Sequence, residues 1–314
     1  MSRILSVVMP VHNAASFVSQ AVESILGQSF GDFEFIIVND ASNDDSLSEL
    51  SRFQDDRIVL INNNRKLGIS VSLNIAIRKA QGIYIARQDA DDVSLPDRLL
   101  QQMDYLKINS GVGLLGSGTY WIDSLGATKR TWKQPVDNAT LQERLLYSCP
   151  FCHGSVVFRK SCWMQSGGYD EGLAAAEDYD LWLRMGETWD VANIRQPLYL
   201  YRWHDNMSSA KISDLEQKRR CVDIRTRSLH RRLKLGMRIL LTHGYLSNRS
   251  NAERSKISAR FVSWSRGIRH FNYSLSVIFA CIALAIESNR STCAMNWAGA
   301  LFRQVNYEQG MICW

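Results

Sequence analysis

The stretch Ala86-Arg87-Gln88-Asp89-Ala90-Asp91-Asp92 sets three carboxylates into four consecutive positions, directly behind the apolar run Gly82 to Ala86. Like charges about 4 Å apart near a protein surface repel by roughly 4 kcal/mol at an effective dielectric of 20, so such a loop wants a cation. An Asp-x-Asp pair offers hard oxygen ligands, but too few to cage a divalent ion alone. It suits Mg²⁺ or Mn²⁺ shared between carboxylate, water and the phosphates of a substrate. In that arrangement Asp91 binds the metal, Asp89 faces a ribose or the metal's water shell, and Arg87 offsets charge. The bland alternative is an acidic surface loop capped by Ser94 and Pro96. Farther on, Glu177-Asp178 and Asp180 open a helical stretch, where the helix dipole favours negative charge.

The elements around these residues predict an α/β fold. Leu5–Met9, Phe35–Val38, Ile58–Ile61 and Ile83–Ala86 are short, uniformly apolar runs that read as strands. Phe17–Leu26, Leu47–Phe53 and Val71–Ala80 alternate with them at helical spacing. Strand and helix in alternation mean βαβ units and a mostly parallel sheet, whose ligands sit outside the carboxyl ends of the strands. Polar residues gather at those ends: Pro10-Val11-His12-Asn13, Asn39-Asp40-Ala41-Ser42 and the acidic loop. Pro96–Asn109 reads as a helix, Val112–Ile122 and Val156–Phe158 as strands, and Leu198–Trp203 as the closing strand.

With 314 residues, 46% of them hydrophobic and only 5 Pro, the chain can bury a full core. Its charge is uneven. Residues 206–270 hold 16 Lys and Arg against 4 Asp and Glu, whereas residues 1–205 hold 19 against 25. Two regions follow: a domain over 1–205 and a basic, helical C-terminal region over 206–314. In the latter, Leu215–Leu241 forms an amphipathic helix with Val222, Leu229, Leu233 and Leu240 as its apolar stripe. Such a helix suits an anionic membrane surface. Phe271–Ile286 is uncharged but some 16 residues long, short of the roughly 20 that span a bilayer, which predicts a buried or interfacial helix. Seven scattered Cys without a signal peptide predict reduced thiols and a cytoplasmic setting. Cys149-Pro150-Phe151-Cys152-His153 matches the haem c attachment pattern, but that chemistry needs an export signal that the sequence does not present.

The stretch from about Ser6 to Ser209 resembles the family 2 glycosyltransferases. The resemblance rests on five ordered segments: Ser6 to Asn13, Ile37 to Ser42, Gly82 to Asp92, Gly167-Gly168-Tyr169-Asp170 with Glu177 to Leu183, and Tyr201-Arg202-Trp203-His204. It implies the GT-A fold and an inverting, metal-dependent transfer of a sugar from a nucleotide diphosphate, UDP- or dTDP-linked, to a hydroxyl of a lipid-linked or polysaccharide acceptor. Carried over, the backbone at Pro10 and Val11, with Asn13, Asp40, Arg65 and Asp89, binds the nucleotide. An acceptor-only carboxylate at Asp40 fits a uracil N3–H. Asp91 and His204 hold the Mn²⁺ or Mg²⁺, and Asp178 is the general base. Glu177, Arg87 and Trp182 serve the acceptor side or support the site. The acidic domain carries the chemistry, and the basic region docks the enzyme on the inner face of the cell membrane. Met9 to Ala15 holds no Gly, which weighs against a sugar-nucleotide-forming nucleotidyltransferase, and no Gly-x-Gly-x-x-Gly supports a dehydrogenase. A nucleic-acid-binding protein would place an aromatic platform among the basic residues, and none is there.

Overall fold

A computed structural model describes residues 4–204, 207, 213–241, 249–269 and 273–288. The chain divides into two compact units, one of Met1–Val136 with Pro150–Val222, the other of Asp137–Cys149 with Asp223–Trp314. In chain order the elements are β1 (Leu5–Val11), α1 (Val18–Leu26), β2 (Phe33–Asn39), α2 (Ser46–Leu50), β3 (Ile58–Asn62), α3 (Ile69–Lys79), β4 (Tyr84–Arg87), β5 (Val93–Ser94), α4 (Arg98–Ile108), β6 (Val112–Ile122), β7 (Thr128–Trp132), α5 (Asn138–Leu145), β8 (Val157–Arg159), α6 (Lys160–Gln165), α7 (Glu177–Thr188), β9 (Asp190–Arg202), α8 (Asp214–Leu241), α9 (Asn251–Ile268) and α10 (Tyr273–Ser288).

The first unit carries one nine-stranded sheet in the order β3-β2-β1-β4-β8-β6-β9-β5, with β7 hydrogen-bonded to β6. β1 to β4 pair in parallel, as the alternation of strands and helices predicts. β8 runs antiparallel to both β4 and β6, and β9 runs parallel to β6. Two reversals cancel, so β6 and β9 run the same way as β1 to β4 and end on the same rim. That shared rim lets residues more than 100 positions apart meet.

Strand periodicity sorts the core. Leu5, Val7, Met9 and Val11 alternate onto one face of β1 and pack with Val18, Ala21, Val22 and Ile25 of α1 and Leu99, Met103 and Leu106 of α4. α3 packs against β1 and β2. The apolar run at the fourth strand is displaced by one residue from expectation: Ile83 is exposed and Tyr84 begins the strand. β5, β7, α5 and α6 were not expected, and β9 begins at Asp190 rather than Leu198.

In the second unit α5, α9 and α10 pack together. Trp264 is fully buried, donates from Nε1 to Gln142 Oε1 at 3.0 Å, and lies 4.7 Å from the guanidinium carbon of the buried Arg232. Ser250 and Glu253 form a reciprocal capping box at the start of α9. The apolar stripe of α8 differs from expectation. It comprises Ile224, Leu229, Leu233 and Ile239 with Ser228 and Arg232, while Val222 is exposed; the Leu240 side chain lies outside the described residues. Arg232 enters the stripe because Trp264 receives its guanidinium face on, which compensates part of its lost hydration. α10 buries Ile278, Phe279, Ile282 and Ile286 and exposes Leu284. Among the described residues no helix is long and apolar enough to cross a membrane.

Gly267 of α9 lies where an added Cβ would run into the backbone carbonyl of Glu143. Gly267→Ala should therefore destabilise the protein by about 1–3 kcal/mol through overpacking, read as a lowered urea midpoint with an unchanged m value.

Candidate active site

The acidic loop follows β4 at the middle of the sheet, and three arginines hold it. Arg87, fully buried at the end of β4, donates to Asp89 Oδ1 at 2.6 Å and to the Gln88 carbonyl. Arg98 opens α4 and is also fully buried. It donates to the Arg87 carbonyl at 2.7 Å, Ser94 Oγ at 2.7 Å and Gln88 Oε1 at 3.2 Å. Burial pulls its pKa down to about 10, so it still carries its charge at neutral pH. Arg202, the last residue of β9, donates from its backbone N–H to Asp92 Oδ1 at 2.7 Å and from Nε to the Asp91 carbonyl at 2.8 Å. Its other nitrogens reach Gln20, Asp123 and Ser124. Buried Arg–carbonyl and Arg–carboxylate bonds of this kind fix a loop that would otherwise spread under its own repulsion.

With Arg202 in place, His204 follows two residues later and its Nε2 lies 3.0 Å from Asp91 Oδ2. The Phe17 ring packs beside the imidazole with centroids 4.8 Å apart. Burial and the neighbouring Asp89 push the Asp91 pKa up, and His204 only partly offsets this. A bound cation would favour the ionised form. Among the described residues no group of three or more His, Cys, Asp and Glu is placed to hold a metal alone. A carboxylate beside an imidazole fits a divalent ion only where substrate oxygens complete the shell. Asp89 is committed to Arg87, and its N–H donates to the Tyr199 hydroxyl at 3.1 Å. A Cβ on Gly154 would collide with that hydroxyl and stand 2.6 Å from Asp89 Oδ2, so only glycine leaves room there.

Glu177 and Asp178 begin α7. Burial first, and then neighbouring charge, raises Glu177 to about 7 and Asp178 to about 6; Asp89 pushes both up and Arg87 pulls both down. The acidic start of α7 and the loop after β4 therefore share one electrostatic environment. Asp178 Oδ1 accepts from the Tyr179 N–H at 2.7 Å. Next to Glu177, His153 Nδ1 stands 3.8 Å from Glu177 Oε1 and Nε2 lies 2.9 Å from the Tyr169 hydroxyl. Burial and Arg87 depress the His153 pKa well below its usual value, so the imidazole is neutral. Its Nε2 is thus engaged by Tyr169, and Cys152 of the same Cys-x-x-Cys-His segment is a buried thiol. Asn74 of α3 fixes the Gly167–Asp170 turn by exchanging two hydrogen bonds with the Tyr169 backbone, at 2.9 and 3.0 Å.

At the other end of the rim, Asp40 is buried. Its Oδ1 accepts from Asn63 Nδ2 and the Leu67 N–H, and its Oδ2 from the Gly68 N–H, each at 2.8 Å. Burial alone would raise its pKa, but these donors outweigh burial and hold it below the ordinary value. The Ser72 hydroxyl contributes in the same direction, so Asp40 stays an ionised, acceptor-only group. Val11 O accepts from the Asp40 N–H at 2.7 Å, Pro10 pairs with Val38, and His12 Nδ1 lies 2.8 Å from Asp40 O. Asn13 Oδ1 accepts from the Asn43 N–H at 2.9 Å. Arg65 is exposed on the loop between β3 and α3. Asn13, Ala41 and Ala176, the non-glycine residues with positive φ among those described, all lie on this rim, where backbone strain commonly accompanies function.

Trp182 departs from expectation. It is fully buried among Phe151, His153, Phe158 and Tyr169, so it packs the floor beneath α7 and offers no face to an acceptor. Sequence reasoning missed Arg98, Arg202, Asn74, Gly154 and Tyr199. Arg202 and Tyr199 sat in the closing segment already singled out, and Arg98 sat on a helix whose apolar spacing was read without it.

Residues 6–163 match the family described as Glycosyl transferase family 2. The chain is 33% identical over 204 residues to the putative glycosyltransferase EpsE of Bacillus subtilis, covering 63% of this chain and 72% of that protein. It is 34% identical over 217 residues to the O-antigen biosynthesis glycosyltransferase WbnJ of Escherichia coli, covering 66% and 82%. The fold is similar to that of S. aureus TarS residues 1–349, solved in complex with UDP-GlcNAc. The TM-score is 0.63 at 15% identity, and the match covers 98% of this chain and 92% of that one. The sheet with its flanking helices is the GT-A fold, and the chain belongs to glycosyl transferase family 2 and is a glycosyltransferase.

Proposed function

We propose that this enzyme transfers a sugar from a nucleoside diphosphate donor to a hydroxyl of a surface glycan or lipid-linked acceptor, with inversion and with help from a divalent cation. The observation that carries this reading is the meeting, on one rim, of the Asp91–His204 pair with Asp89 and the raised carboxyls of Glu177 and Asp178. The part of WbnJ in O-antigen biosynthesis and the UDP-GlcNAc bound by TarS agree with it.

In this mechanism Asp91 and His204 hold the cation, Mn²⁺ or Mg²⁺, which when bound stabilises charge on the departing diphosphate as a Lewis acid. Asp40, the Pro10–Val11 backbone, Asn13 and Arg65 receive the nucleotide, with the acceptor-only carboxylate of Asp40 reading a uracil or thymine imide. Asp89, oriented by Arg87, takes the ribose. Asp178 accepts the proton of the acceptor hydroxyl through Oδ2, since Oδ1 is occupied by Tyr179. As that proton moves, the acceptor oxygen bonds to the anomeric carbon and the bond to the diphosphate oxygen breaks on the opposite face. A single displacement of this kind inverts configuration. Burial, with Asp89 adding to it, raises Asp178 to about 6, which matches it to near-neutral pH, and the Asp178 charge in turn helps raise Glu177. The exposed Lys218, Arg219, Arg227 and Lys234 of α8 suit an anionic leaflet, which supports a cytoplasmic enzyme docked against the membrane.

Four measurements test this reading. Asp91→Asn should remove the extra thermal stabilisation that Mn²⁺ adds to UDP and abolish donor hydrolysis, with an unchanged circular dichroism spectrum; a full metal response in the variant refutes the metal role. Asp178→Asn should retain UDP affinity yet lower kcat by about 10²–10⁴-fold. Wild-type kcat/KM should rise with pH between about 6 and about 7, because the raised Glu177–Asp178 pair must lose a proton before a base is available. A flat profile over that range would require another base. Arg202→Lys keeps the charge but loses the fork, and should cut kcat at least tenfold while the backbone bond to Asp92 persists.

A further inference from the structure

β9 carries aromatic residues at Tyr199 and Tyr201, and Trp203 follows its last residue, at the alternate spacing that puts all three on one face. They grade outward from the site. Tyr199 is fully buried and its hydroxyl receives the Asp89 N–H, Tyr201 is half-buried, and Trp203 is 52% exposed. The strand beside them contributes Trp121, whose ring centroid is 5.2 Å from that of Tyr201 and 5.9 Å from that of Trp203, the two indoles lying within 10° of parallel. On β7 the Arg130 guanidinium carbon stands 3.5 Å from the Trp121 ring centroid. The Trp203 backbone N–H donates to the Ile122 carbonyl at 2.8 Å, which ties the main chain of that residue to the sheet. Trp203 immediately precedes His204, itself on Asp91.

We infer that Trp203, backed by Trp121 and Tyr201, is a stacking platform for a saccharide ring of the acceptor, lying next to the reacting centre. The assignment of that ring to the acceptor rests on the transfer reading above. An exposed indole held parallel to a second indole cannot collapse onto the surface, so it keeps an apolar face turned to solvent at a fixed angle. The C–H face of a pyranose is the ligand such a face takes, because its weakly positive hydrogens meet the negative face of the ring. Arg130 steadies Trp121 by its cation–π contact and so keeps the stack in place. At about 3.3 Å per residue the strand covers roughly 13 Å from Tyr199 to Trp203, a span of about two or three sugar rings. The platform therefore engages a ring back from the reacting end and selects an oligosaccharide over a single sugar.

The test uses the full chain on an array of microbial surface oligosaccharides, with donor hydrolysis measured in parallel on UDP-, dTDP- and GDP-sugars. Wild type should retain at least one oligosaccharide. Trp203→Ala should lose that signal at least tenfold, Trp203→Phe should lose less than threefold, and donor hydrolysis should stay within twofold in both variants. An array on which wild type retains nothing, or on which Trp203→Ala matches wild type, overturns the platform. A wild type that hydrolyses no donor, yet binds glycan through Trp203, refutes the transfer reading and leaves the platform standing. Liposome binding that requires Trp203 while no glycan is retained assigns the indole to lipid and overturns the inference.

Discussion

The site depends on restraint of repelling carboxylates. Asp89, Asp91 and Asp92 would drive their loop apart, and the fold answers with Arg87, Arg98 and Arg202 from three separate elements, each buried. Two of the three work largely through carbonyl oxygens, so they fix the backbone without neutralising every carboxylate. Asp89 is paired, Asp92 is sealed in, and Asp91 alone is turned toward an imidazole. The loop thus keeps its carboxylates in fixed positions without each being neutralised by an arginine.

The same division of labour appears at α7. Glu177 and Asp178 are crowded at a helix start that ought to lower their pKa values, yet burial wins and both rise. Arg87 moderates the rise from one side while Asp89 adds to it from the other. The acidic loop and the start of α7 are therefore tuned by a shared pair, Arg87 and Asp89. A change at either residue propagates to both clusters.

How much of this was legible in the sequence follows from how each residue type announces itself. β6 was read to the residue, Val112–Ile122, because an apolar run bounded by turn residues has one reading. β7, Thr-Lys-Arg-Thr-Trp at Thr128–Trp132, is mostly exposed and shows no burial period, so it passed as loop. β5 has only two residues, too few for any pattern. The clustering of polar residues at strand ends located the rim. The arginines that assemble it were invisible, because Arg is assigned to the surface by default and only tertiary contacts reveal a buried one. Trp182 failed in the opposite direction, since proximity in sequence to Asp178 does not tell which way a helical side chain faces.

The placement of β9 bears on how the enzyme is born. During synthesis the loop after β4 leaves the ribosome long before Tyr199, Arg202 and His204, which must travel across more than 100 positions to reach it. Contacts of such sequence separation form late and slowly. A partly made chain therefore holds its acidic loop through Arg87 and Arg98 alone, and Asp91 stays without its imidazole until β9, the strand leading to His204, is seated.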